Sequence, residues 1–383
     1  MSFATFPEFD LERLLRTVFN PQAGERVAIL IDLPDPKEFK EFAFLRNPSL
    51  TIQRYGHDVF YQGLNRDKVM DRLGWVGGQL FAYQQTGGSN LDLPDDAYDV
   101  GGEPLAFDRD IYPKYDLFLC ISTWSATAPL TAKAKSFGFR GATLHGLNET
   151  ILKTGLSVDY NEVSATAERL RSGMTNADWF EINYLYRDVP YQLRMIINGR
   201  PAMKSHGIAR DARPDIVNLP GGEVYFVPAG AEGTFPRRYE DGTIGLLHVK
   251  GGRVHRADLL NGNQEVIDFQ NHKLSVEPMA GLLGELGFGT QMLPPAGCDI
   301  QDEKIFGTLH VATGRSDHLG GDLSPDGFVV KEYATHDDIL FAPFKTPEIG
   351  VPLVRMHRNG ETVNLIQNYR PTDYLLRLRA GEG

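Results

Sequence analysis

The stretch "RVAILIDLP" (residues 26–34) is an apolar run of strand length that ends in Asp32 and Pro34. Seven of its nine residues are apolar or proline, with no alternation of polar positions, so it reads as a strand covered on both faces. Upstream, Asp10 stands where a helix cap belongs, and Leu11, Leu14, Leu15, Val18 and Phe19 follow at helical spacing. Downstream, "YDLFLCIS" (115–122) repeats the apolar strand pattern and is followed by a helical "LTAKAKSFG" (130–138). Doubly covered strands alternating with helices predict an α/β domain with a mostly parallel sheet. Between the two strands, "PKEFKEFAFLR" (36–46) reads as a helix and "DVFYQGL" (58–64) as a short strand. The Gly-, Asp- and Pro-rich stretch from Gln84 to Pro113 reads as a long insertion or lid.

The texture changes after "DYNE" (159–162), whose Asp and Glu have capping-box spacing before the helical "VSATAERLRS" (163–172). Beyond it come short strands with glycine turns: "QLRMIING", "EVYFVPAG", "GLLHVKGGRVHRADLL" and "HRNGETVNLI". Gly251-Gly252 and Asn359-Gly360 have the composition of hairpin turns. The expected organisation is α/β plus α+β, with the boundary near Gly173. Residues 1–173 form the α/β domain, and residues 174–383 form a β-rich, metal-binding, catalytic domain.

The chain has 383 residues, 42% hydrophobic and 23% charged, which is the composition of a soluble globular protein. A net charge of −11 argues against a large nucleic-acid footprint. The two cysteines, Cys120 and Cys298, lack CxxC spacing, which fits a reducing compartment and disfavours a zinc–thiolate site. "MSFATFPEFDLERLL" carries acid early and has no basic segment before an apolar one, so no signal peptide is expected. No apolar run approaches membrane-span length. These features place the chain in the cytoplasm, without a membrane or nucleic-acid partner. The phosphate-loop, GxGxxG, GxSxG and HExxH patterns are all missing from the sequence.

Four islands in the second half carry carboxylates and imidazoles in glycine-rich frames. They are "NLPGGEVYFVPAG" with Glu223, "GLLGELGFGT" with Glu285, "EKIFGTLHVATGRSDHLGGD" with His310, Asp317 and His318, and "THDDILF" with His336, Asp337 and Asp338. Residues i and i+2 of a strand share a face, so His336 and Asp338 can reach one point while Asp337 faces the other way. With Glu223, Glu285 and His310 they make a donor set suited to a hard or borderline divalent metal ion.

From about Pro214 to Phe341 these islands, in this order, resemble the thermophilic-type metallo-aminopeptidases (the aminopeptidase T and aminopeptidase S group). "NLPGGEV", "LGEL", "GTLHVATG" and "THDD" are similar to that family's metal-binding segments. The resemblance implies that Glu223, Glu285, His310, His336 and Asp338 are metal ligands. It departs at the family's catalytic tyrosine, where this chain has Asp317 followed by His318. The loop "RSDHLGGD" (315–322) is closer to a related branch of the fold, the 2,5-dihydroxypyridine 5,6-dioxygenases, which use a single iron.

The ligand set therefore implies a divalent-metal-dependent aminopeptidase-like hydrolase, active on a peptide or small molecule through a water activated by a metal ion or, as the set favours, by a pair of them. Its ions would be Zn, Co, Mn or Mg, and a homodimer is implied. The candidate catalytic residues are His318, as an oxyanion donor, and Glu223, as one of two glutamates between which the sequence does not choose a proton acceptor. Two other readings stand beside it. One is a mononuclear non-haem Fe(II) ring-cleaving dioxygenase acting on a hydroxylated N-heteroaromatic; the other is an inactive relative that binds a peptide or small molecule without turnover.

Overall fold

A computed structural model describes residues 5–210 and 214–382. In chain order its strands are β1 (Arg26–Leu33), β2 (Val76–Gln84), β3 (Asp96–Tyr98), β4 (Pro104–Ala106), β5 (Leu117–Ile121), β6 (Arg140–Thr143), β7 (Trp179–Tyr186), β8 (Val189–Ile196), β9 (Met203–Ser205) and β10 (Asp215–Asn218). They continue with β11 (Glu223–Phe226), β12 (Gly230–Arg238), β13 (Ile244–Lys250), β14 (Arg253–Asn261), β15 (Leu283–Gly289), β16 (Leu309–Gly314), β17 (His336–Phe341), β18 (Ile349–Arg358), β19 (Glu361–Gln367) and β20 (Arg370–Pro371). The chain divides into two compact units: residues 1–164, 206–221 and 298–302 form the first, and residues 165–205, 222–297 and 303–383 the second.

The first unit is built on a sheet of order β10-β6-β5-β1-β2-β3-β4. β1 pairs in parallel with β2 and β5, β5 with β6, and β6 with β10. This is the mostly parallel sheet expected from "RVAILIDLP", and all residues of β1 after Arg26 are buried. The first helix, Leu11–Phe19, is capped by the Asp10 carboxylate and buries the five expected apolar residues. Two local expectations are corrected. "DVFYQGL" lies in continuous helical turns from Thr51 to Asn65, with Gln53, Gly56, His57, Phe60 and Leu64 buried on one side. Gly56 lets this helix lie against β1, because a Cβ there would come within 2.7 Å of Ile31. "PKEFKEFAFLR" is not one helix: Lys40 is extended and Glu41 and Phe42 are left-handed, which breaks it in the middle. The stretch read as an insertion or lid supplies β3 and β4, which extend the sheet edge by antiparallel pairing.

The second unit holds two antiparallel sheets, of order β14-β13-β12-β8-β7-β18-β19-β20 and β17-β16-β15-β11-β9. The Gly251-Gly252 and Asn359-Gly360 turns close the β13–β14 and β18–β19 hairpins as expected. Alternation along the five-stranded sheet gives it two unlike faces. One face carries Val224, Phe226, Leu286, Phe288, Leu309, Val311, Ile339 and Phe341, all in the main apolar core with Phe180, Tyr184 and Phe235 of the larger sheet. The expected α/β plus α+β class is the class observed. Among the described residues, no helix is long and apolar enough to cross a membrane.

Candidate metal centre

The other face of the five-stranded sheet collects the five sequence-derived candidates. Register explains how. Glu223 of β11 stands opposite Gly289, two places along β15 from Gly287, which stands opposite His310 of β16. Glu285 stands opposite Ala312, which stands opposite Asp338 of β17, and Gly314 stands opposite His336. Directly opposed residues share a face, so these four strands aim their polar side chains the same way. Gly287 keeps the middle open: a Cβ there would fall within 2.1 Å of His310 Cε1 and 2.8 Å of Glu223 Oε1.

Three overlapping triads result, each with donor atoms within 4.8 Å of one another: Glu223–Glu285–His310, Glu285–His336–Asp338 and Glu303–His310–Asp338. His336 Nε2 lies 3.0 Å from Glu285 Oε2 and 3.2 Å from Asp338 Oδ1. His336 Nε2 thus stands at hydrogen-bond distance from both carboxylates, close enough that one ion could be shared by all three. His310 Nε2 is farther out, 3.5 Å from Glu285 Oε1 and 4.0 Å from Asp338 Oδ1. Asp338 Oδ1 is buried with His336 Nε2 as its near neighbour, which are the surroundings of a ligand atom. The rest of that side chain is 29% exposed, so the centre opens beside Asp338. These buried acidic and imidazole groups can hold a metal ion.

The neighbouring shell orients the ligands. His336 Nδ1 donates to the Arg315 carbonyl oxygen at 2.7 Å, which leaves Nε2 to face the carboxylates. Arg315 is itself buried and held by Asp317 through two contacts of 3.0 and 3.1 Å. Asp317 thus serves a guanidinium. The His318 ring stands perpendicular to His336 at 4.9 Å between centroids. Burial pushes His318 down to about 4, with Asp317 opposing, so this imidazole is neutral near pH 7. Asp337 faces away, as the strand phase predicts, and pairs with Arg237 at 2.9 Å.

Two functional neighbours escaped sequence reading. The Lys304 ammonium is buried between Glu223 and Glu303 and donates to both. Burial opposes its charge, but the two carboxylates hold it above the ordinary lysine range. Burial likewise opposes ionisation of Glu223, while Lys304 and His310 hold it well below the usual carboxylate range. Glu303 moves the other way, pushed up to about 7 by burial against the pull of Lys304. For His310 and His336, burial favours the neutral ring, but the facing carboxylates raise both well above the ordinary histidine range. Metal binding at this face therefore displaces protons. The only sequence signal for Glu303 and Lys304 was a charged pair at the start of an apolar island, and nothing there named their partners. Away from this cluster, His248 bonds Asp258 and His255 bonds the Lys250 carbonyl oxygen.

No protein-family model and no curated protein matches the chain. A solved structure does: 2,5-dihydroxypyridine dioxygenase from Pseudomonas putida KT2440, with a TM-score of 0.58 and 13% identity over 94% of this chain and 95% of that one. At that identity the likeness is one of fold. It bears out the relation to the dioxygenase branch and overturns the metallo-aminopeptidase expectation, with its hydrolase and protease activity. The physical reason is that a glutamate, histidine and aspartate set on one sheet face is a donor set common to hydrolytic and oxidative centres. Four short islands could not separate the two chemistries.

Proposed function

We propose that this chain is a mononuclear non-haem Fe(II) dioxygenase that opens the ring of a hydroxylated N-heteroaromatic. The observation that carries the reading is the Glu285–His336–Asp338 triad, whose donor atoms lie within 4.8 Å of one another, beside the partly exposed Asp338 side chain. One imidazole and two carboxylates, with His310 as a further imidazole, form a set that suits Fe(II) with positions left open. The fold likeness to 2,5-dihydroxypyridine dioxygenase supports the substrate class. When bound, Fe(II) supplies the one-electron chemistry that lets O2 react with a closed-shell ring.

The chain's own residues supply the rest. Glu285, His336 and Asp338 hold the ion, and the Arg315 carbonyl fixes the tautomer of His336. His318, neutral and beside His336, can accept a hydrogen bond from a ring hydroxyl of the substrate but is too weak a base to hold its proton. Glu223, paired with Lys304 and His310, balances charge rather than accepting a proton.

The test is O2 uptake by protein loaded anaerobically with Fe(II) and given 2,5-dihydroxypyridine and its positional isomers. The expected result is O2 consumption matched to loss of ring absorbance, dependent on Fe(II) and absent with Zn(II). Ring binding with no O2 uptake by any isomer would overturn the reading and favour a relative that binds without turnover.

A further inference from the structure

The five-stranded sheet offers more ligands than one ion uses. Beside Glu285–His336–Asp338 there are two further loci, Glu223–Glu285–His310 and Glu303–His310–Asp338. Each needs a carboxylate that the first triad does not use: Glu223 in one, Glu303 in the other. Lys304 donates to both of those carboxylates and is itself fully enclosed. Its ammonium thus sits on the two groups that any second ion would have to recruit.

From this placement we infer that Lys304 is a built-in monocation that takes the place of a second metal ion and keeps the centre mononuclear. The inference rests on the metal-centre part of the reading above, not on its substrate. Three physical points support it. The ammonium is tethered to the chain, so it is present at its locus at all metal concentrations, whereas a free ion must compete for it. It has three donors and no acceptor, so carboxylates satisfy it and a neighbouring cation does not. A dication within a few ångströms of it meets repulsion scaled by two charges in a buried setting that screens little. Gly287 fits the same account: it leaves room for Glu223 to reach both His310 and Lys304.

The probe is Mn(II) added to metal-free protein, with bound ions counted by equilibrium dialysis and paired ions detected by their exchange-coupled electron paramagnetic resonance spectrum. Wild type is expected to bind one tight ion per chain, with a mononuclear spectrum. Lys304→Met is expected to bind two and to show the coupled signal, and Lys304→Arg, which keeps the cation, to bind one. Removing the ammonium alone strands two buried carboxylates and can cost the fold. The paired variant Glu303→Gln/Lys304→Met is therefore measured alongside. It loses one charge of each sign, keeps Glu223, Glu285 and His310, and is expected to take the second ion. Two tight ions in wild type, or a single ion in every folded variant that lacks Lys304, overturns the inference; where no such variant folds, the wild-type count decides. No tight ion in wild type is a different failure, because it removes the metal reading itself.

Discussion

Asp32 in the first unit and Asp338 in the second are both acids near the end of a sheet, and they differ in how their oxygens are used. Asp32, at the C-terminal end of β1, accepts from Gln53 Nε2 at 2.7 Å, the Thr123 amide at 2.9 Å and Thr123 Oγ1 at 3.2 Å. The hydroxyls that follow continue this pattern: Ser125 donates to Asn90, and Thr127 to Asn218. Asp338 Oδ1 faces two imidazoles, His336 at 3.2 Å and His310 at 4.0 Å, and shares its cluster with the Glu285 carboxylate. Neutral donors hold Asp32 in the scaffold, although burial still raises its carboxyl above the usual range. Asp338, against the same burial, instead faces imidazoles that favour its charged form, in a cluster with the donor chemistry of a metal ligand set. Buried polarity alone therefore does not mark a site, even where a parallel sheet ends and ligands often bind.

The comparison breaks most easily at the metal ligands. His336→Ala and Asp338→Ala should each lower metal affinity by about 100-fold or more, exceeding the 10–100-fold typical of outer-shell changes. Competition with a chromophoric chelator measures this, and unchanged affinity in both would remove the site. Asp32→Ala should leave metal affinity untouched but lower unfolding stability by about 1–3 kcal/mol, because the Thr123 amide and Gln53 lose a buried acceptor. Denaturant unfolding checks it, and a variant that changes metal affinity instead would erase the distinction between the two acids. Asp337→Ala belongs with Asp32. It should keep the metal yet cost stability, because Arg237 loses its partner.

Asp317→Asn sharpens the comparison within the second unit. It weakens the hold on Arg315, whose carbonyl positions His336, so metal affinity should fall about 10-fold while the fold is kept. The smallest effect concerns pH. Burial pushes the Asp215 carboxyl up to about 6, with Arg140 opposing. A carboxyl raised in the folded state contributes stability below its unfolded value, about 3.9, and that contribution is lost as pH rises through about 6. Asp215→Asn should therefore gain on wild type in melting temperature between pH 4 and pH 7. An equal offset at both pH values would show that Asp215 does not titrate in this window.

Much of the fold could be read from periodicity. β1, β5, the Asp10-capped helix and the two glycine hairpins all lie where local pattern and tertiary packing agree. "DVFYQGL" did not, because Val59, Phe60 and Tyr61 have strand propensity while burial at Gln53, Gly56, His57, Phe60 and Leu64 follows a helical period only visible over the longer window. The break at Glu41 and Phe42 was also hidden. It depends on the Glu41 amide reaching the Val100 carbonyl, a contact far along the chain.

What the sequence determined by itself was a set of five candidate donors and the face on which His336, Asp337 and Asp338 would lie. Strand alternation is local and survives any arrangement of neighbours, so His336 and Asp338 had to share a side and Asp337 had to leave it. What only the tertiary structure decided was which donors stand together and what stands between them. Lys304 meets Glu223 across 81 residues of chain, and Arg315 supplies a carbonyl to His336 across 21. Those contacts follow from strand register, and register is set by pairing between segments that carry no mark of one another. Register also places the Lys304 ammonium between Glu223 and Glu303, and no local pattern links it to Glu223.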